Sequence, residues 1–313
     1  MWVEQKSSWI KVVALGGFAL PKIWTRTLVV TAISVVVTVL YEKVPALHTA
    51  LTPAPFTMVG LPLGIFLGFR NNTAYDRWWE GRKLWGSLVN TSRSFTRQIL
   101  TMIELQPDAP PVDESELVAL EKKLVNLLIA YVHAFRHHLR DNPPFEKLGR
   151  LLPADEVDRF RDEDNVPLGI LQRIADLVVE ARRKGWIHPF HVNILESSLV
   201  SLTDVQGACE RIKSTPVPYS YTVLMHRIVG GYCALLPLGL MESVKWATPM
   251  VVLCVSYCLF GLDSIGGELE QPFGLDTNDL PLRAISRTIE RNLRRRIDEP
   301  LPDPARPRNT ILT

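Results

Sequence analysis

The stretch GLPLGIFLGFRNN, residues 60–72, determines the predicted fold more than any other part of the chain. It carries no charge before its arginine, and its three glycines are four residues apart. On an α-helix this spacing lines one face with hydrogen atoms only, so a neighbouring helix can approach closely. A proline inside the same helix is expected to kink or locally distort it unless neighbouring groups compensate. The residues predicted to shape the packing of this helix are Gly60, Pro62, Gly64 and Gly68.

A stripe of large apolar side chains, Leu61, Ile65 and Phe69, follows the glycines at the same four-residue step. Four residues turn a helix by about 400°, so the three side chains share one slowly drifting stripe. In a ring of such helices around a common axis, these side chains would form a hydrophobic constriction that gates by dewetting. The alternative is that the glycines and apolar residues pack a hairpin within one subunit, and the spacing alone does not decide between the two.

Four uncharged runs along the chain are candidates for membrane-spanning helices. A hydrocarbon core about 30 Å thick needs about 20 apolar residues, and only the second run meets this length without help from its flanks. Trp24, Tyr41 and Trp246 lie at the ends of runs, where aromatic side chains favour the membrane interface, and basic residues concentrate on one side if both termini are cytoplasmic. We therefore favour four spans over buried helices of a soluble bundle. The runs cover residues 27–41, 50–69, 228–241 and 246–262.

The long polar middle of the chain has the apolar periodicity of amphipathic helices in residues 117–140, 168–183 and 192–212, and signals for strands are sparse. The predicted fold class is an all-α membrane protein with four transmembrane helices and a large helical cytosolic region. The predicted segments are an N-terminal cytosolic or interfacial segment (1–23), transmembrane helices 1 and 2 (24–69), the cytosolic helical region (70–215), transmembrane helices 3 and 4 (216–263), a cytosolic C-terminal helical segment (264–299) and a proline-rich disordered tail (300–313).

Several long stretches resemble the bestrophin family, specifically its prokaryotic branch. The resemblance implies a homopentamer of four transmembrane helices per subunit around one axial pore, with a helical cytosolic vestibule, in the bacterial inner membrane. It places the three constricting positions of the neck on Leu61, Ile65 and Phe69, and a second, cytosolic constriction near Phe190 in WIHPFHVN. The stretches are TPAPF (52–56), GLPLGIFLGFRNNTAYDRWWEGRKLWG (60–86), CERIKSTPVPYSY (209–221), LDSIGGELEQPFGLDTNDLPL (262–282) and TIERNL (288–293).

One stretch departs from the animal members of that family, which carry consecutive acidic residues after the PFG sequence that form a calcium site. Here residues 275–279, LDTND, contain only two carboxylates. Calcium takes six to eight oxygen ligands, so we expect weak or absent calcium gating. His133 and His137 are four residues apart on a predicted helix, but further zinc ligands are not evident. We assign no metal site and no cofactor.

The function expected from these features is a channel for small monovalent ions. Because the neck stripe is uncharged, selectivity should depend on charges in the vestibule. The prokaryotic branch can conduct cations such as sodium, which favours cation selectivity; an anion-selective (chloride) channel is the alternative, and a membrane-anchored helical scaffold a remoter one. The net charge of +2 gives no indication of nucleic-acid binding, and without a nucleophile motif or a phosphate loop we expect no enzyme. The expected partners are four identical subunits, membrane lipid and permeant ions.

Overall fold

A computed structural model describes residues 20–44 and 52–306 of the chain. Most of the predicted N-terminal segment (1–23) lies outside the described residues, as does the tail beyond 306. The first part of the tail, residues 301–306, has neither helix nor strand. The carbonyl of Pro302 nevertheless accepts a hydrogen bond from the Arg291 guanidinium, which holds this part of the tail against the last helix.

The regular secondary structure of the described residues is helical, which confirms the predicted all-α class; their only β-type pairing is one isolated bridge between Ile103 and Ile187. The ten α-helices are α1 (Leu20–Lys43), α2 (Pro53–Met102), α3 (Glu114–Leu139), α4 (Phe145–Leu148), α5 (Ala154–Asp158), α6 (Val166–Arg183), α7 (Pro189–Ser214), α8 (Tyr219–Val244), α9 (Thr248–Glu270) and α10 (Leu282–Arg294).

Helix α2 is the longest element, with 50 residues in one uninterrupted helix. At 1.5 Å per residue it is about 75 Å long. It begins at Pro53, a position that suits proline because the first helical N–H groups have no partner within the helix. The helix also continues through Pro62, where the sequence suggested a local distortion. The carbonyl that loses its partner there is that of Met58, which is 77% exposed, so the lost bond does not leave a polar group deep in the protein.

Two separate apolar clusters pack against different parts of α2. The smaller cluster joins the N-terminal part of α2 to α1, α8 and α9, with Leu63 and Leu67 as the contribution of α2. The larger cluster joins the C-terminal part of α2 to α3, α6, α7 and α10. At its centre Trp85 of α2 is fully buried and stacks on Phe135 of α3, with ring centroids 5.7 Å apart. One helix therefore connects the two clusters.

Two stretches of the described residues are long and apolar enough to cross a membrane, Lys22–Lys43 and Tyr219–Glu270. The second has 52 residues and contains α8, a short 3-10 turn (Lys245–Ala247) and α9, which is enough chain for two crossings of about 20 residues each. In the apolar 18-residue segment of each stretch only 28% is buried, whereas a core helix of a soluble protein would be mostly buried. The N-terminal part of α2 is not among these stretches, so the count of four spans stays a prediction.

Candidate pore-lining site

The predicted neck residues form an exposed apolar stripe on α2. Leu61 is 67% exposed, Ile65 51% and Phe69 61%. They are large hydrophobic side chains that contact little else in the chain, although the helix that carries them is firmly packed on its other side. A contiguous row of this kind, rather than a single exposed leucine, indicates a surface that is completed by something outside one chain.

The opposite face of α2 explains why the stripe points outward. Leu63 and Leu67 are 3% and 1% exposed, and they alternate with the stripe residues at helical spacing. Their burial against α1, α8 and α9 fixes the rotation of α2 about its own axis. The stripe therefore has a defined direction, which a channel wall requires.

The three glycines of the stretch do not have the same surroundings. A Cβ added at Gly60 would lie 2.6 Å from the hydroxyl of Tyr232 on α8, so this glycine permits a close approach within the chain. The same test at Gly64 and Gly68 finds open space among the described residues. Pro62, also assigned to neck packing, is exposed. Only Gly60 has a packing role inside one chain.

A buried ion pair holds the end of the neck segment in place. Arg70 Nη1 lies 2.5 Å from Asp263 Oδ1, and Arg70 Nη2 is 3.7 Å from Glu270 Oε2. The second carboxylate oxygen of Asp263 is 3.1 Å from His226 Nε2. These side chains connect α2 to α9 and α8 immediately after Phe69, so they position the neck stripe without being part of it.

Two turns further along α2, Arg77 makes a second connection. Its Nε donates to the carbonyl of Glu270 at 3.1 Å, and its two terminal nitrogens donate to the carbonyls of Thr215 and Ile212, both at 2.5 Å. One guanidinium thereby donates to carbonyls at the ends of α7 and α9. These carbonyls need such a donor because the last C=O groups of a helix have no N–H partner within it. The two apolar clusters are joined at this point.

The predicted cytosolic constriction lies beside the opposite end of α2. The bridge between Ile103 and Ile187 attaches the start of α7 to the end of α2. Phe190, at the first turn of α7, is 78% exposed and stacks on the His188 ring with centroids 5.2 Å apart. Along α2 the distance from Phe69 to this end is about 50 Å. Both predicted constrictions thus consist of exposed large apolar side chains, one on the N-terminal part of α2 and the other beside its C-terminal end.

The loop after α9 holds the acidic residues that were considered for a calcium site. Asn278 donates to Glu268 Oε2 at 2.7 Å. The ammonium of Lys22 lies 3.0 Å from Glu268 Oε1 and 2.9 Å from Asp276 Oδ1, so it bridges the two carboxylates. Within residues 20–44 and 52–306, no group of three or more His, Cys, Asp or Glu side chains is arranged to hold a metal ion.

The sequence analysis did not identify the positioning residues Arg70, Arg77, Asp263 and His226. Two of them border the uncharged runs: Arg70 follows Phe69, and Asp263 follows the last run directly. A charge at such a position suggests an interfacial side chain in contact with water. The opposite signs of Arg70 and Asp263 at the ends of two uncharged runs were the available signal for their pairing.

Comparison with known proteins identifies relatives along the whole chain. A family model described as Bacterial/Fungal Bestrophin protein matches residues 1–295. A protein of Ralstonia nicotianae named as a voltage-dependent anion channel-forming protein is 37% identical over 314 residues, covering 100% of both chains. A protein of a Nostoc species with the same description is 37% identical, over 92% of this chain and 91% of its own.

Solved structures agree with the sequence comparisons. The crystal structure of a bacterial bestrophin homologue from Klebsiella pneumoniae superimposes with a TM-score of 0.82 at 33% identity, covering 89% of this chain and 99% of that one. A single-site variant of that homologue gives the same TM-score and identity, covering 89% and 100%. The names of the sequence relatives favour the anion-selective alternative over the expected cation selectivity.

Proposed function

The chain belongs to the bacterial and fungal bestrophin family, and from this premise we propose that it is one subunit of a homopentameric channel that conducts small anions through a hydrophobic neck. Members of this family are ion channels and not enzymes. The pentamer would lie in the bacterial inner membrane, with four spans per subunit in contact with lipid and both termini in the cytoplasm.

The exposed stripe of Leu61, Ile65 and Phe69 carries this proposal. A plain membrane anchor or scaffold has no need for a row of large side chains aimed away from its own bundle and flanked by glycines. In a ring of five α2 helices the row would become three successive apolar rings. Such rings pass ions only when the constriction is wide and hydrated enough, which provides a gate without any charged group.

The glycines support the assembly of the ring. Gly64 and Gly68 meet none of the described residues, and they lie beside the stripe on the outward side of α2. A small-residue face without an internal partner is suited to the close approach of a helix from a neighbouring copy. The same helix would then contribute the constricting residues and the contact that sets the pore diameter.

The charged side chains of α2 beyond the neck support selectivity for anions. Arg82 and Lys83 are exposed and make no ion pair with any described residue, and Glu80, the nearest acidic residue, pairs with Arg211 at 2.6 Å. The exposed carboxylate of Asp76 offsets one of these two positive charges, so an excess of positive charge remains. An excess of uncompensated positive charge on the wall of a vestibule raises the local concentration of anions and repels cations. The neck itself adds no preference, because all its side chains are apolar.

The test is the reversal potential of the purified protein in a planar bilayer under a potassium chloride gradient. We expect a shift towards the chloride potential, and a smaller shift for the variant Arg82→Gln/Lys83→Gln. A shift towards the potassium potential would establish cation selectivity and contradict the proposal. Absence of single-channel events from protein that remains oligomeric in detergent would favour the scaffold.

A further inference from the structure

A cavity of about 730 Å³ lies on the cytosolic part of the chain, between the C-terminal third of α2 and the end of α10. It is far from the neck stripe and plays no part in the proposed conduction. Residues 93–101 form one wall and residues 292–296 the other. Its charged lining is entirely basic: Arg93, Arg97, Arg295 and Arg296.

These four arginines have no acidic partner among the described residues. No ion pair joins any of them to a carboxylate among the described residues, and all four are exposed. Their neighbours on α10 differ: Arg294 pairs with Glu290 and Glu299, and Arg291 donates to the carbonyl of Pro302. A guanidinium has five N–H donors in a fixed planar arrangement, so the cavity presents many donors and no negative charge.

Two buried polar groups at the cavity also lack partners. Thr96 is 2% exposed, and its hydroxyl makes no hydrogen bond with any described residue. The amide nitrogen of Asn292, on the other wall, is likewise buried and unpaired within the described part of the chain. Buried polar groups in native proteins are almost always hydrogen-bonded to protein or to ordered water, so an unpaired hydroxyl and an unpaired amide beside one cavity add to its polar character.

We propose that this cavity binds a soluble anion carrying at least two phosphate groups. Arginine is the residue best suited to bidentate contacts with phosphate oxygens. Arg93 and Arg97 are one helical turn apart, so they can hold one phosphate group, while Arg295 and Arg296 can hold a second from the facing wall. The volume lies in the range of sites for small molecules, roughly 300–1,000 Å³.

The distance of the cavity from the neck favours a soluble phosphate compound over a lipid headgroup as its ligand. Arg93 is 24 residues beyond Phe69 on the same uninterrupted helix, which corresponds to about 36 Å along its axis. This step rests on the proposed function, because it takes the end of the neck as the membrane boundary. Headgroups at that boundary would be too far away to reach the four arginines.

The experiment is isothermal titration calorimetry of the intact oligomer in detergent, with sodium tripolyphosphate as the probe. We expect tripolyphosphate to bind at least tenfold more tightly than inorganic phosphate. Arg93→Gln/Arg97→Gln should weaken binding at least tenfold, because charge-assisted hydrogen bonds to two phosphate oxygens are lost. Arg182→Gln/Arg183→Gln removes the same charge from exposed arginines of α6, outside the cavity, and should leave the affinity within about twofold.

Further variants keep the proposal falsifiable if the first one folds poorly. Arg295→Gln/Arg296→Gln removes the donors of the opposite wall and should have the same effect. Thr96→Val keeps the shape of the side chain, and it should weaken binding severalfold without a change in melting temperature. Equal affinity for all variants would overturn the proposal.

Two other outcomes would also overturn it. Binding seen only in nanodiscs that contain phosphatidylglycerol, and not with tripolyphosphate, would identify a lipid site. No binding to the oligomer would mean that carboxylates of a neighbouring copy already occupy the arginines. Because heat is measured and not current, a protein that binds tripolyphosphate but conducts nothing would contradict the channel and leave this site standing.

Discussion

The guanidinium of Arg70 and the carboxylate of Asp263 form an ion pair with 2.5 Å between Nη1 and Oδ1, and their side chains are only 2% and 3% exposed. The two residues are 193 positions apart in sequence. Because Arg70 directly follows Phe69, this pair fixes the height and rotation of the last residue of the proposed neck relative to α9. The proposed neck is thus held in position by an ion pair that cannot be predicted from the spacing of apolar residues in the sequence.

Asp263→Asn tests the structural role of this pair. The amide has the shape of the carboxylate but not its charge, so Arg70 would remain buried without full compensation. Breaking a buried pair in this way typically costs about 3–5 kcal/mol. We expect a clearly lower melting temperature in detergent. Asp76→Asn, which removes an exposed carboxylate from α2, is the matched control, and an equal effect of both changes would contradict the assignment.

Phe69→Ala separates a pore-lining role from a packing role. Phe69 is 61% exposed in the chain, so its removal should enlarge the constriction, raise the single-channel conductance and change the melting temperature little. Leu67, two residues away, is 1% exposed in the apolar cluster, and Leu67→Ala should instead cost about 2–5 kcal/mol of stability. A loss of stability in Phe69→Ala equal to that of Leu67→Ala, with unchanged conductance, would mean that Phe69 only packs.

The grouping of the three stripe residues on one side of α2 was predictable because it depends on local geometry alone, whereas their outward direction depends on the tertiary packing of the opposite face. Leu61, Ile65 and Phe69 recur every four residues, and the helix carries them on one side whatever surrounds it. The amphipathic cytosolic helices were predictable for the same reason. Residues 168–183, for example, fall within α6, whose apolar side chains are buried at helical spacing.

The continuity of α2 was not predictable in the same way. The change from apolar to charged sequence after Phe69 suggested a boundary between segments, but hydropathy reports the surroundings of a helix and not its end. The helix continues because residues such as Trp85 and Phe95 form a buried face of their own. The contacts of Arg70 could not be derived either, since pairing with a residue 193 positions away leaves no periodic signal.

Gly64→Ala tests the assembly, because the direction of its effect on the melting temperature shows whether a neighbouring copy packs against this face. An added methyl group at Gly64 meets nothing in the described part of the chain, and replacing glycine by alanine inside a helix stabilises it by about 1 kcal/mol. If a neighbouring copy packs against this face, the methyl group should instead weaken the oligomer. We expect a lower melting temperature and partial dissociation in size-exclusion chromatography with light scattering. Gly207→Ala on α7, also in open space, is the control and should be neutral or stabilising.

Asp279 provides a prediction on pH, because burial raises the pKa of its carboxyl from 3.8 to about 7, with Asp276 and Glu268 adding to the effect. The folded protein therefore favours the protonated form. Its contribution to stability is complete below pH 4 and is lost as the pH rises towards 7, since ionisation is more costly in the folded than in the unfolded chain. A shift of this size corresponds to a few kcal/mol at most.

The carboxyl of Asp279 also accepts a hydrogen bond from the Asp276 N–H at 2.7 Å, and an amide oxygen can accept the same bond. Asp279→Asn should therefore fold normally but cannot ionise. Relative to the unmodified protein, we expect this variant to gain stability between pH 5 and pH 8, as measured by melting temperature across that range. Asp162→Asn removes an exposed carboxylate and should follow the unmodified protein. If Asp279→Asn has the same pH dependence as this control, the buried carboxyl does not titrate in this range, and the Arg140 guanidinium compensates its charge.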